Sequence, residues 1–121
     1  MMIVFDTYAW IEYFAGSEKG LRVKAIIDST EEIVTSAISL TEIKVKYERE
    51  KKESASRLSF VEERSRISVL DKKTALLAAE QKLKNDLPTV DAIIYATSLV
   101  NGCKVLTGDS HFKKLEHAEL L

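Results

Sequence analysis

The sequence predicts an α/β fold built on a parallel sheet that is covered on both faces. Short β-branched or apolar runs, such as Ile3-Val4-Phe5 and Val105-Leu106, alternate with longer stretches whose apolar residues recur at helical spacing. A 45% apolar content is enough to cover both faces of such a sheet, and the 31% charged content supplies a solvated shell. The single proline and the four glycines are too sparse for a flexible linker, so each reads as local punctuation.

The elements follow in order. Ile3-Val4-Phe5, ended by Asp6-Thr7, is too short for a helix and reads as a buried strand. Trp10, Ile11, Tyr13 and Phe14 give a helix that stops at Gly16, and Leu21, Val23, Ile26 and Ile27 give a second, ending at Ser29-Thr30. Ile33-Val34 is a second strand. Ser39-Leu40-Thr41-Glu42 has the form of a capping box, opening a helix through Ile43, Val45 and Tyr47 into the charged run Glu48 to Glu53. Another helix carries Leu58 and Val61. Ile67, Val69 and Leu70 read as a third strand, after which Asp71 caps a helix holding Ala75, Leu76, Ala79 and Leu83. Pro88 breaks the chain, and Thr89 begins a helix through Ile93, Ile94 and Ala96 that closes at Gly102. Val105-Leu106 is a fourth strand, followed by a helical turn near Phe112 and a tail at Leu120-Leu121.

At 121 residues the chain has room for one domain. A domain of this size buries roughly two-thirds of the surface that its unfolded chain exposes, which supports a core without disulfides. The net charge of −1 excludes nucleic-acid binding by bulk positive charge, so such a role must come from local arrangement. One cysteine, Cys103, excludes an internal disulfide framework and a four-cysteine zinc site. No apolar run exceeds five residues, and the apolar start lacks the basic flank and cleavage site of a signal peptide. These features lead us to expect a cytoplasmic protein without membrane contact.

Four acids carry the chemistry. In open parallel sheets, ligands bind beyond the carboxyl ends of the strands. Asp6 and Asp109 each follow a strand, while Asp91 and Glu42 lie near the starts of helices that begin at the same edge. Each acid also has a plain structural role open to it. Glu42 fits a capping box, Asp91 complements a helix dipole, Asp109 caps a turn, and Asp6 is an acid after a strand. Clustered carboxylates repel one another unless a cation neutralises them. An all-oxygen site of this kind suits Mg²⁺ or Mn²⁺, with Asp6, Asp91 and Asp109 holding the ion and Glu42 supporting it or orienting water.

The same residues carry a family resemblance. Ile3-Val4-Phe5-Asp6-Thr7, then Trp10-Ile11-Glu12-Tyr13-Phe14 and Gly16, resembles the opening of PIN-domain ribonucleases, especially VapC-type toxins of toxin–antitoxin pairs. Ser39-Leu40-Thr41-Glu42-Ile43 is similar to the second acidic motif of that family, Asp91-Ala92-Ile93-Ile94 to the third, and Thr107-Gly108-Asp109 with Phe112 to the fourth. One departure is Tyr95, where the family often has a small residue. The resemblance implies a single PIN domain over residues 1–121, a three-layer α/β/α fold with strand order 3-2-1-4-5. It also implies Mg²⁺- or Mn²⁺-dependent endonucleolytic cleavage of RNA, with Asp6, Glu42, Asp91 and Asp109 as the catalytic acids. Thr7 and Thr107 become supporting hydroxyls, and the expected partners are a homodimer mate and an antitoxin that covers the acidic site.

Other features weigh less. Lys44, Lys46, Arg49, Lys51 and Lys52 form the densest basic stretch, a solvated helix face or, at Lys46 and Arg49, phosphate contacts for RNA. Glu42 and Lys46 are spaced as an i,i+4 pair. Trp10, Tyr13 and Phe14 read as core or interface. His111 and His117 read as surface residues, His111 a distant candidate for RNA contact, and Cys103 as a buried strand thiol. The main alternative is a catalytically silent module that binds RNA or protein. A haloacid-dehalogenase type of phosphotransferase needs a second Asp where Tyr8 stands, and no glycine-rich phosphate loop is present.

Overall fold

The computed structural model describes residues Met1–Leu121. Strands β1 (Met2–Phe5), β2 (Glu32–Ser36), β3 (Ser65–Ser68), β4 (Lys104–Thr107) and β5 (Ala118–Leu120) form one sheet. Its order is β3-β2-β1-β4-β5, and every neighbouring pair is parallel. The helices are α1 (Thr7–Ala15), α2 (Glu18–Ile27), α3 (Ala37–Arg49), α4 (Ala55–Arg64), α5 (Lys72–Asn85) and α6 (Thr89–Val100), with a 3₁₀ turn at Ser110–Phe112. Successive strand residues point to opposite faces, so β1 sends Ile3 and Phe5 one way and Val4 the other. Ile3, Phe5, Ile33 and Leu106 pack with Trp10, Val23, Ile43 and Val61 from α1–α4. Val4, Val34 and Val105 pack with Ala78, Ile94 and Tyr95 from α5 and α6. The result is the three-layer α/β/α fold expected.

The α1–α2 corner rests on two glycines. Gly16 ends α1 at φ 66°, and its backbone N–H returns to carbonyls of the last turn. Gly20 is a different case. It lies inside α2, where an added Cβ would stand 2.2 Å from the Glu12 carbonyl oxygen, so its role is close helix approach and not punctuation.

Three local expectations need correction. The capping box does not form: α3 already begins at Ala37, Ser39 is buried within the helix, and Glu42 lies in its second turn. Strand β3 ends at Ser68, leaving Val69 and Leu70 exposed on the way to α5. Leu76 and Leu83 are also exposed, and α5 buries Thr74 and Ala78 instead, because α6 meets a face offset from the one the leucines mark. Asp71 does cap α5, accepting from the Thr74 N–H at 2.8 Å. The tail at Leu120 is the strand β5, an edge strand too short and mixed to announce itself by apolar content.

Candidate active site

Because every strand is parallel, the residues that follow β1 and β4 and those that open α3 and α6 share one edge of the sheet. Asp6, Glu42, Asp91 and Asp109 all line a cleft of about 210 Å³ there, together with Thr7, Tyr8, Ile11 and Ile94. All four sequence-predicted acids are therefore brought together.

Asp6 is the most enclosed of them, at 3% exposure. It is the N-cap of α1, with Oδ1 accepting from the Ala9 N–H at 2.7 Å, while its own N–H donates to the Leu106 carbonyl of β4 at 3.1 Å. Burial pushes its carboxyl pKa up to about 7, and the charges of Asp109 and Asp91 push the same way. The Thr107 hydroxyl and the Ala9 N–H oppose that rise. Asp91 sits in the first turn of α6 and is half-buried. Burial and then the neighbouring Asp109 raise its pKa, and His111 restrains the rise. Asp109 caps the 3₁₀ turn by accepting from the His111 N–H at 2.8 Å, and its own N–H donates to Thr107 Oγ1 at 2.9 Å. Glu42 receives the Thr7 hydroxyl at 2.6 Å, and Thr7 Oγ1 also lies 3.0 Å from Ser39 Oγ. Thr7 thus holds Glu42, and Thr107 touches both Asp6 and Asp109.

His111 was read as a surface residue, and it is half-exposed, yet it touches two of the cleft acids. Its Nδ1 lies 2.9 Å from Asp91 Oδ2 and 2.9 Å from Asp109 Oδ1. Asp109 foremost raises the imidazole pKa, with Asp91 adding to it. The spacing Asp109-Ser110-His111 sets the ring near that acid along the chain, but it is the 3₁₀ turn that directs it into contact. Donor atoms of Asp91, Asp109 and His111 all fall within 4.8 Å of one another. Carboxylates gathered this closely, with burial and mutual repulsion raising the pKa of Asp6 and Asp91, fit a divalent cation that would take up their charge.

The basic run behaves differently. Lys46 pairs with Glu50 at 2.5 Å and not with Glu42, and Lys44 pairs with Glu48. Arg49 is exposed beside Lys44, Val45 and Glu48 on α3. Tyr95 is buried against the Phe112 ring, so it packs behind the site and does not line it. Trp10 is core, and Tyr13 and Phe14 are covered by Phe60, which leaves little aromatic surface free on α1. Cys103 is only half-buried and precedes β4.

Comparison with known proteins agrees with the fold. The family model of the PIN domain matches residues 3–118. Among solved structures, a toxin–antitoxin complex from Klebsiella pneumoniae superposes with a TM-score of 0.80 at 20% identity, covering 97% of this chain and 95% of that one. VapBC2 from Rickettsia felis, bound to a DNA fragment from its promoter, gives 0.79 at 16% identity over 100% and 98% of the two chains. VapC20 of Mycobacterium tuberculosis, described as a sarcin-ricin loop cleaving toxin, gives 0.76 at 18% identity over 95% of each. Comparison with curated proteins gives no match.

Proposed function

This chain belongs to the PIN-domain family, and on that premise we propose that it is a Mg²⁺- or Mn²⁺-dependent endoribonuclease, the toxin of a toxin–antitoxin pair. The observation that carries the reading is the convergence of Asp6, Glu42, Asp91 and Asp109 on one cleft from four separate segments. Asp6, Asp91 and Asp109 hold the cation in this reading. Bound there, a divalent ion supplies a Lewis acid for a phosphate oxygen and acidifies a water molecule. Glu42, fixed by the Thr7 hydroxyl, orients that water. Lys46 and Arg49 lie one and two turns further along α3 from Glu42 and are the proposed phosphate contacts.

The toxin assignment draws on structural neighbours that are themselves toxin–antitoxin complexes. We place the protein in the cytoplasm, as one PIN domain over residues 1–121 that forms a homodimer and binds an antitoxin at the acidic cleft. A guanidinium offered by that antitoxin would satisfy two carboxylates at once and keep the cation out.

The test is cleavage. Pure protein with single-stranded and folded RNAs should cut in Mg²⁺ or Mn²⁺ and stop in chelator. Mapping new 5′ ends in cells after brief induction covers the case of a single target RNA. Asp6→Asn and Asp91→Asn should each lower the rate by about a hundredfold or more. Unchanged cleavage in chelator, or in either variant, overturns the mechanism.

A further inference from the structure

We propose that His111 is itself a metal ligand, giving Nδ1 alongside the carboxylates of Asp91 and Asp109, and that this nitrogen makes the site prefer Mn²⁺ over Mg²⁺. The inference rests on the metal-dependent reading above and adds to it a donor that is not an acid.

Three observations carry it. The first is spacing. An octahedral ion with bonds of about 2.1 Å sets adjacent donors about 3.0 Å apart. His111 Nδ1 stands 2.9 Å from one oxygen of each acid, so both of its separations match those of neighbouring corners, and all three donors lie within 4.8 Å of one another. The second is restraint. The His111 backbone N–H is bonded to Asp109, and the next side chain, Phe112, is buried at 1% exposure, which anchors the turn carrying the imidazole. The third is access. His111 and Asp109 are partly exposed while Asp91 is largely covered, so the donors approach from the protein side and leave the solvent side to water or a phosphate oxygen.

The preference follows from ligand chemistry. Mg²⁺ is a hard ion that takes oxygen donors and gives up water reluctantly, whereas imidazole nitrogen suits first-row transition ions. A site of oxygens alone has little ground for choosing Mn²⁺. Adding one nitrogen supplies it. The neutral imidazole would coordinate through Nδ1 with its proton on Nε2, the tautomer that leaves the outer edge of the ring free to donate to solvent or to RNA. The competing geometry is an imidazolium that merely bridges the two acids and is expelled when the ion arrives. That arrangement predicts the opposite response to removing the ring.

Pulsed electron paramagnetic resonance of Mn²⁺ bound to the pure protein decides between them, since it detects a directly coordinated nitrogen without any turnover. We expect nitrogen hyperfine coupling in the wild type and none in His111→Ala or His111→Gln, the second retaining a polar side chain in the turn. Mn²⁺ affinity, followed by the signal of the free ion, should fall about tenfold in both variants, on the scale seen when support for a metal site is removed. Mg²⁺ affinity, read by competition, should fall less. Bound Mn²⁺ without nitrogen coupling, or variants that bind it as tightly as wild type or tighter, overturn His111 as a ligand. Asp91→Asn separates the two levels: if it weakens Mn²⁺ binding while His111→Gln leaves it unchanged, the acidic site stands and only the histidine falls. A wild type that binds no Mn²⁺ overturns both.

Discussion

Asp6 sits where water barely reaches, and its ionisation is the most strained feature of the cleft. Its unfolded value is near 3.8, and burial lifts the folded value to about 7. A carboxyl raised in this way favours folding most below pH 4, and that contribution is lost as pH rises through 7. Metal-free protein should therefore melt at progressively lower temperature between pH 5 and pH 8, and Asp6→Asn should flatten the decline. Saturating Mn²⁺ should abolish most of it, because an ion bound only by the folded state stabilises by mass action. Thermal melts in chelator and in metal across that range check all three outcomes. A decline of equal size in Asp6→Asn would place its source elsewhere. The histidine changes the expectation for Asp109. Simple repulsion among carboxylates would make Asp109→Asn a stabilising change, but His111 already sits against that carboxylate, so relief of repulsion is offset by a lost charge-assisted contact.

The acids were legible residue by residue because three of them abut strand ends or helix starts that the hydrophobic pattern marks. Glu42 was the exception in kind. Its motif also spells a capping box, and only the start of α3 at Ala37 shows that the box is not used. His111 was illegible for a different reason, since its contacts depend on how a three-residue turn directs a ring, which spacing alone does not encode.

At the scale of elements, a polar thread ties helices α1 and α4 to strands β2 and β3. The Trp10 indole N–H of α1 donates to Thr35 of β2 at 3.0 Å, Thr35 shares a bond of 2.8 Å with Ser65 of β3, and Ser65 donates to the Val61 carbonyl of α4 at 2.6 Å. All four residues are buried. Trp10→Phe removes the donor and opens a cavity, and should cost about 2–4 kcal/mol in denaturant melts. Gly20→Ala brings opposing effects. Alanine favours a helix interior by about 1 kcal/mol, but the new Cβ meets a backbone carbonyl that cannot turn aside. The clash should win, with a net loss of about 1–3 kcal/mol. Strands β1, β2 and β4 were legible in the sequence because they are central and each holds a run of two or more buried apolar residues. The edges were harder: β5 reads Ala118-Glu119-Leu120, and the run Val69-Leu70 mimics a strand while standing outside one.

Taken as a whole, the molecule leaves a strip of apolar side chains exposed on and just before α5. Leu76 and Leu83 are two turns apart on α5, with exposures of 59% and 85%, and Val69 and Leu70 lie just before that helix. The early aromatics, which read as core or interface in the sequence, fall on the core side of that choice and pack around Phe60. The proposed homodimer should therefore use the α5 surface. Leu76→Glu with Leu83→Glu should convert a dimer to a monomer in light scattering while leaving the melting temperature at low concentration nearly unchanged. A dimer that survives both substitutions would move the contact to another face.

The central position of β1 has a consequence for how the protein comes into being. Strand β1, which leads into Asp6, is made well before β4, one of its two sheet neighbours, and six helices and two other strands are made between them. Asp6 and Asp109 are separated by about a hundred residues of synthesis, which at about 5–20 residues per second is several seconds or more of ribosome time. Until β4 emerges and pairs with β1, the acids have no common edge on which to meet. A chain that stops before β4 therefore carries the first acid of the cleft but no cleft, so the proposed site is completed only once β4 has been made and paired.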